Sequence, residues 1–240
     1  MTHESAPVAA DLERPGLPDP LPPSPMPLLA QWLEEATEQA VTPNPNAMAL
    51  ATVNADGQPS VRQVLCKSMD HEAGSLVFYT NLQSPKSRDL QANPRCEVCF
   101  FWDPLQRQAR VRGVAVRTTP EEDDAYFATR PLLSKLGAWA SRQSQPLDGR
   151  MTLLRTLRDA AAKLHVPLEA LDSAKALQAA ASVVIPRPLH WGGWRIWAFR
   201  VELWVGMPGR LHDRACWERS CDLAADPPVQ GPWRSARLQP

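Results

Sequence analysis

The sequence predicts an α+β fold with an antiparallel, barrel-like sheet, and three observations carry that reading. Strand patterns follow one another from residue 47 to about 119, joined by short polar turns. Helical patterns then occupy most of the chain to about residue 184. Strand patterns return from Trp194 onward. A chain of 240 residues, 44% of them hydrophobic, suits one large domain or two small ones and has material for a core.

The elements follow in order. Eight of the 25 prolines fall in the first 27 residues, so residues 1–26 are expected to be extended or disordered ahead of one domain over 27–240. In PLLAQWLEEATEQA, Leu28, Leu29, Trp32, Leu33 and Ala36 share a stripe at helical spacing. AMALATV (47–53) reads as a strand, NADGQP as a turn, SVRQVLCK as a second strand and LVFYT (76–80) as a third. SPKSRDLQANP has a cap in Ser84 and Pro85 at the first helical position. CEVCFFW and RQARVRGVAVRTT are two longer strands, and the second sets Gln108, Arg110 and Arg112 on one face. TPEEDDAYFATRP is a helix capped by Thr119, with acidic residues in its first turn. LLSKLGAWA, GRMTLLRTLRDAAAKLH and LEALDSAKALQAAASVV are read as helical. WRIWAFRVELWVG, RLHDRACWER and WRSARLQP are read as strands.

Composition excludes several classes. Lys plus Arg and Asp plus Glu are 26 each, which argues against a general nucleic-acid binder. No apolar run is long enough to cross a bilayer, and MTHESAPVAADLERPG lacks the apolar core of a secretory signal. Five sparse cysteines fit a reducing cytoplasm rather than a disulfide framework. Cys96 and Cys99 have half-knuckle spacing, but on a strand they face opposite ways, so no metal site is expected. There is no GxSxG, no Walker loop and no GxGxxG after a strand.

What remains is local basic character. RQVLCK places Arg62 and Lys67 at the two ends of a strand, either as ordinary edge charges or as ligands for an anion. Tyr126, Arg130 and Ser134 sit four apart and would share a face of one continuous helix, offering a phosphate a guanidinium between two hydroxyls, although Pro131 interrupts. In a strand, Arg210, His212 and Arg214 of RLHDR would point one way, where like charges repel unless an anion joins them. Together with Lys86, these clusters suggest a site for more than one phosphate, with aromatic neighbours to cover something flat.

The stretches PNAMALATVNADGQPSVRQVLCK, LVFYTNLQSPKSRDLQANPR, WDPLQRQARVRGVA, YFATRPLLSKLGAWASRQS, PRPLHWGGWRI, VELWVG and RLHDR occur in this order between about residues 27 and 219. As an ordered set they resemble the pyridoxine/pyridoxamine 5′-phosphate oxidase family. The resemblance implies a six-stranded antiparallel split β-barrel with peripheral helices, a homodimer with FMN at the subunit interface. It implies oxidation of pyridoxamine or pyridoxine 5′-phosphate to pyridoxal 5′-phosphate by O2, releasing peroxide and, from the amine, ammonia. Arg62, Gln63, Val64, Leu65, Cys66, Lys67, Tyr79, Thr80, Lys86, Gln108, Gln143, Ser144, Trp204 and Arg214 fall on FMN positions. Lys67, Tyr126, Arg130, Ser134, Arg210, Leu211 and His212 fall on substrate positions, with Arg210 and His212 as the catalytic pair.

This chain departs from the pattern at several places. Pro85 stands where the family usually has an arginine, which removes a charge-assisted bond of about 1.5–3 kcal/mol. Cys66 replaces a usual leucine, and Trp194 a usual tyrosine or phenylalanine. Two rival functions follow: a related FMN oxidase of phenazine biosynthesis, and a non-catalytic flavin or pyridoxal phosphate binder of the same fold.

Overall fold

The structure, a computed structural model, describes residues 15–171, 173–180, 182–222, 225 and 228–240. Contacts gather the chain into two units. The first is Met1–Phe78, Ala92–Val116 and Arg195–Pro240, and the second is Tyr79–Gln91 and Arg117–Trp194.

The strands are β1 (Ala47–Val53), β2 (Pro59–Leu65), β3 (Ser68–Asp70), β4 (Ser75–Asn81), β5 (Arg95–Trp102), β6 (Arg107–Arg117), β7 (Trp191–Val205), β8 (Asp213–Glu218), β9 (Cys221–Asp222), β10 (Val229–Gln230) and β11 (Arg234–Leu238). Nine of them form one sheet in the order β11-β8-β7-β6-β5-β1-β2, with β4 paired to β3 and β7. The pairs β1–β2, β1–β5, β5–β6, β7–β8, β8–β11 and β3–β4 are all antiparallel. The fold class is therefore the expected one. The strand count exceeds six because short pieces such as β3 extend the sheet, and among the described residues no pairing closes it. β1 shows why these residues form strands: Met48, Leu50 and Thr52 are buried and their neighbours half-buried, the period-two alternation of a sheet with one covered face.

In the first unit, helix α1 (Met26–Glu38) buries Met26, Leu29, Trp32 and Ala36. Arg107 of β6 lies 4.9 Å over the Trp32 ring and pairs with Glu35. Of the segment expected to be extended or disordered, residues 1–14 lie outside the described residues. Residues 15–25 are irregular but held: Leu17 is buried, its N–H donates to Asp213, and Pro22 accepts from the Trp217 indole.

The second unit contains most of the remaining helices. These are α2 (Pro85–Ala92), α3 (Pro120–Thr129), α4 (Leu132–Ala140), α5 (Arg150–Lys163) and α6 (Ala174–Ala179). Thr119 caps α3 in a full capping box with Glu122. The core here joins Phe127, Leu132, Leu136, Ala161, Val166, Ala170, Ile185 and Trp191.

Several local expectations change. β2 stops at Leu65, so Cys66 and Lys67 lie beyond the strand. RLHDR is not a strand: Pro208–Arg210 form a 3₁₀ turn, Leu211 and His212 follow it irregularly, and only Asp213 and Arg214 enter β8. Arg210 adopts a left-handed φ of 62°, which takes it off the strand alternation. Among the described residues, the helix expected over LEALDSAKALQAAASVV reduces to a 3₁₀ turn at Leu168–Leu171 and the short α6. β7 begins three residues before Trp194, and the pair β9–β10 was unforeseen.

Candidate functional site

In the second unit a cavity of about 380 Å³ is lined by Tyr79, Thr80, Asn81, Arg130, Ser134, Gly137, Ala138, Ser141, Gln143 and Trp191. Pro131 separates α3 from α4, so Tyr126, Arg130 and Ser134 do not share a continuous helix. The break serves the site: extended backbone at Arg130 and Pro131 lets Arg130 and Ser134 line one cavity from two sides of a corner.

Aromatic rings support that corner. Tyr79 stacks on Tyr126 at 4.1 Å between centroids and on Trp191 at 5.2 Å. The Arg130 guanidinium lies 4.6 Å over Trp191 and 5.4 Å over Phe127. Burial pushes its pKa below the usual arginine value, with Tyr126 opposing in part. Its Nη1 is buried and has no hydrogen-bond partner among the described residues. A desolvated cation with an orphaned donor, beside a serine and a cavity, is the donor set a phosphate or carboxylate wants.

Beside it, the buried Lys86 donates from Nζ to Gln143 (2.7 Å), Thr80 (3.2 Å) and Ser84 (3.2 Å), all neutral oxygens. Pro85 opens α2 without a guanidinium; Ser84 just before it accepts the Arg88 N–H at its carbonyl and Lys86 at its hydroxyl. Ser144 is exposed with φ 69° and is not among the cavity's lining residues.

A buried carboxylate ties this region together. Asp123 accepts from the Thr118 hydroxyl (2.5 Å), the Gly193 N–H (2.7 Å) and Arg117 (3.1 Å). Arg187 completes the cluster, bonding Asp124 at 2.6 Å and the Trp191 carbonyl at 2.8 Å. The start of β7, with Trp191, is thereby fastened to α3, which carries Tyr126. Gly193 is needed at this junction, because a Cβ there would meet the Thr118 hydroxyl at 2.5 Å and the Tyr79 ring at 2.8 Å.

In the first unit, Arg62 lies opposite Leu50 in the β1–β2 register. It donates to Thr52 Oγ1 (2.6 Å), Ser60 Oγ (2.6 Å) and two carbonyls. Gln63 is exposed, Val64 buried and Leu65 half-buried. Cys66 is buried, which pushes its thiol up to about 12. Lys67 is exposed, and its N–H donates to the Val77 carbonyl.

Further along the sheet, Trp204 of β7 faces Arg214 of β8 in register. The His212 ring packs on Trp204 at 4.7 Å. His212 Nδ1 accepts the Met207 N–H at 3.1 Å, so the neutral ring carries its proton on Nε2. Arg214 is held by Glu202, and Glu202 also accepts from Arg110. Arg110 and Arg112 both pair with Glu97. Burial opposes the Arg110 charge, but Glu97 and then Glu202 outweigh it and hold its pKa above the usual value. Gln108 is half-buried two residues from Arg110 on the same side of β6. Arg210 and Leu211 are exposed, and the Arg210 side chain has no polar partner among the described residues.

Residues 33–163 match the pyridoxamine 5′-phosphate oxidase family, and residues 191–240 match the pyridoxine 5′-phosphate oxidase C-terminal dimerisation region. A pyridoxine/pyridoxamine 5′-phosphate oxidase of Rubrobacter xylanophilus is 45% identical over 91% of this chain and 88% of its own length. This chain belongs to the pyridoxine/pyridoxamine 5′-phosphate oxidase family. It is an oxidoreductase.

Two solved structures of the family's fold are similar. PhzG from Burkholderia lata 383, in complex with tetrahydrophenazine-1-carboxylic acid, is 28% identical with a TM-score of 0.74, covering 92% of this chain and 95% of its own. A pyridoxamine 5′-phosphate oxidase-related, FMN binding protein from Nostoc punctiforme is 15% identical with a TM-score of 0.61, covering 89% and 96%, and bears on the fold alone. No helix among the described residues is long and apolar enough to cross a membrane.

Within this family member, sequence reasoning missed Trp191, Asn81 and Asp123 in the second unit and Glu202 in the first. Trp191 was legible as the aromatic of WGG. Glu202 was legible as an acid inside VELWV, where both flanking residues are apolar. Asp123 looked like ordinary first-turn acidity, because the partner that ties it to β7, Gly193, lies 70 residues along the chain.

Proposed function

We propose that this chain oxidises pyridoxamine 5′-phosphate and pyridoxine 5′-phosphate to pyridoxal 5′-phosphate. In this reading FMN is the cofactor and O2 the electron acceptor. Peroxide is released, with ammonia from the amine substrate. Arg130 is the observation that carries the reading: a half-buried cation clamped on Trp191, with a buried donor lacking a partner, beside Ser134 and a cavity. Such a group is costly to keep without an anion, so an anionic ligand is what the slot is built for. The substrate phosphate is that anion, with Tyr126, Ser134 and Lys67 as its further candidate contacts.

The donor set also fits FMN, which combines a phosphate with a flat, hydrogen-bonding ring system. The candidate FMN contacts are Arg62, Gln63, Val64, Leu65, Cys66, Lys67, Gln108, Trp204 and Arg214 in the first unit. In the second they are Tyr79, Thr80, Lys86, Gln143 and Ser144. When bound, FMN supplies a two-electron acceptor that oxygen regenerates. The chain's own residues bind and orient. Arg210, exposed and unbonded, is available to the substrate ring, and Leu211 borders it. His212 presents an Nε2–H, so in this tautomer it acts as a hydrogen-bond donor to the substrate rather than as a base.

The protein works as a homodimer with FMN at the subunit interface, a reading supported by the match to the dimerisation region. Five unpaired cysteines support a cytoplasmic setting.

The deciding experiment is anaerobic. Pyridoxamine 5′-phosphate added to the FMN-loaded protein should bleach the visible flavin band, and air should restore it with release of peroxide. A flavin band that stays unbleached would overturn the reading. A second reading, a phenazine-type oxidase, is favoured by the likeness to PhzG. It predicts bleaching by a reduced tricyclic phenazine carboxylic acid and none by the vitamin phosphate.

A further inference from the structure

Glu202 is a buried carboxylate near the end of a long strand. Val201, Leu203 and Val205 on its strand are buried, and so is Glu202 itself, at 5% exposure. A sheet that needed only stability would do as well or better with an apolar residue there, since a buried ion pair seldom outperforms one. Its two oxygens are divided between two arginines. Oε1 accepts from Arg214 Nη2 (2.7 Å) and Nε (3.2 Å), while Oε2 accepts from Arg110 Nη1 (3.3 Å). Glu97 takes the rest of Arg110 through Nε and Nη2, so Arg110 is held between two carboxylates, and Glu202 bridges it to Arg214.

The consequence falls on Arg214. Its Nη1 donates to the Gln239 carbonyl at 2.9 Å, so Nε, Nη1 and Nη2 each have one partner. A guanidinium has five N–H donors, which leaves two for a ligand, in a plane fixed on every side. Trp204 stands opposite Arg214 in register and shares Glu202's face of β7 by alternation.

We infer that Glu202 is a positioning residue that sets the Arg214 guanidinium for the flavin. The inference rests on the reading that Arg214 contacts FMN. Glu202 touches neither cofactor nor substrate; it acts through Arg214. The same carboxylate cancels the repulsion between Arg110 and Arg214 that would otherwise turn one of them away.

The test is FMN binding to the full chain stripped of flavin, followed by quenching of FMN fluorescence. Glu202→Gln keeps the shape and removes the charge, and should weaken FMN binding about tenfold. In an Arg214→Ala background the same change should have an effect of less than about twofold, because the group it acts through is gone. If Glu202→Gln weakens binding equally in both backgrounds, the carboxylate does not act through Arg214 and the inference falls. Should Glu202→Gln fail to fold, Glu202→Gln with Arg110→Met removes the repulsion while leaving Arg214 unsupported. That pair should still bind FMN about tenfold more weakly, and wild-type affinity in it would also overturn the inference. Failure of the unaltered chain to bind FMN would instead sink the functional reading, and this inference with it.

Discussion

Replacing Arg130 with methionine separates a binding residue from a structural one, because the two roles predict opposite signs for stability. The native guanidinium is half-buried with an unpartnered Nη1, and leaving such a donor unmade costs about 1–3 kcal/mol. Its stacking over Trp191 and Phe127 returns about 0.5–2 kcal/mol. Methionine refills the space over the rings, so Arg130→Met should leave the melting temperature without substrate unchanged or slightly raised. The same change removes a charge-assisted contact to phosphate worth about 1.5–3 kcal/mol, which is roughly a 10- to 150-fold rise in KM for pyridoxamine 5′-phosphate. FMN affinity should stay constant, because Arg130 belongs to the other set of contacts. The assay pairs steady-state peroxide release with thermal melts in the presence and absence of the substrate phosphate. Wild-type protein should gain stability with the ligand and the variant should not. A melting temperature several degrees lower with an unchanged KM would refute the reasoning, since it would make Arg130 a packing residue.

Other predictions follow from the same geometry. Gly193→Ala drives a methyl into Thr118 and Tyr79, so it should cost about 1–3 kcal/mol and lower the melting temperature by about 2–4 °C per kcal/mol. Arg210→Ala should cut turnover and weaken substrate binding while FMN stays bound; stability should stay within about 0.5 kcal/mol, because the side chain is exposed and unbonded. Burial pushes the Cys66 and Cys96 thiols up to about 12. At pH 8 only about one in ten thousand of each is thiolate, so both should resist alkylation of the native protein, with labelling rising only on unfolding or as pH approaches 12. Rapid native labelling of Cys66 in a mass-spectrometric time course would contradict its burial.

The parts of this fold that were legible in the sequence are those written at short range. β1, β5 and β6 announce themselves by alternation, and α3 by a cap and an acidic first turn, because those signals sit within one element. The RLHDR segment misled for the same reason. Alternation placed Arg210, His212 and Arg214 on one face, whereas a glycine and an arginine with left-handed φ turn the chain and start β8 at Asp213. Pro131 was visible as an interruption, but not as the corner that aims Arg130 and Ser134 into one cavity.

Charge was the least legible property, since the sequence counts cations but does not say which are already matched. Arg112, Arg110 and Arg214 are joined through Glu97 and Glu202, partners 13 to 92 residues apart for Arg110 alone. Arg117 and Arg187 converge on Asp123. Neither network has a local period to betray it. The six cations singled out from spacing are consequently not equivalent. Arg214 is bound by a buried acid, Arg62 and Lys86 count neutral oxygens among their partners, and Lys67 and Arg210 stand exposed. Arg130 combines burial with an orphaned donor. A carboxylate that fixes a cation gives a rigid donor at reduced net charge, whereas a desolvated cation without one gives full charge at a cost in stability. A site that must hold a large cofactor through many turnovers is suited by the first arrangement, and one that must attract and release a small phosphorylated substrate by the second.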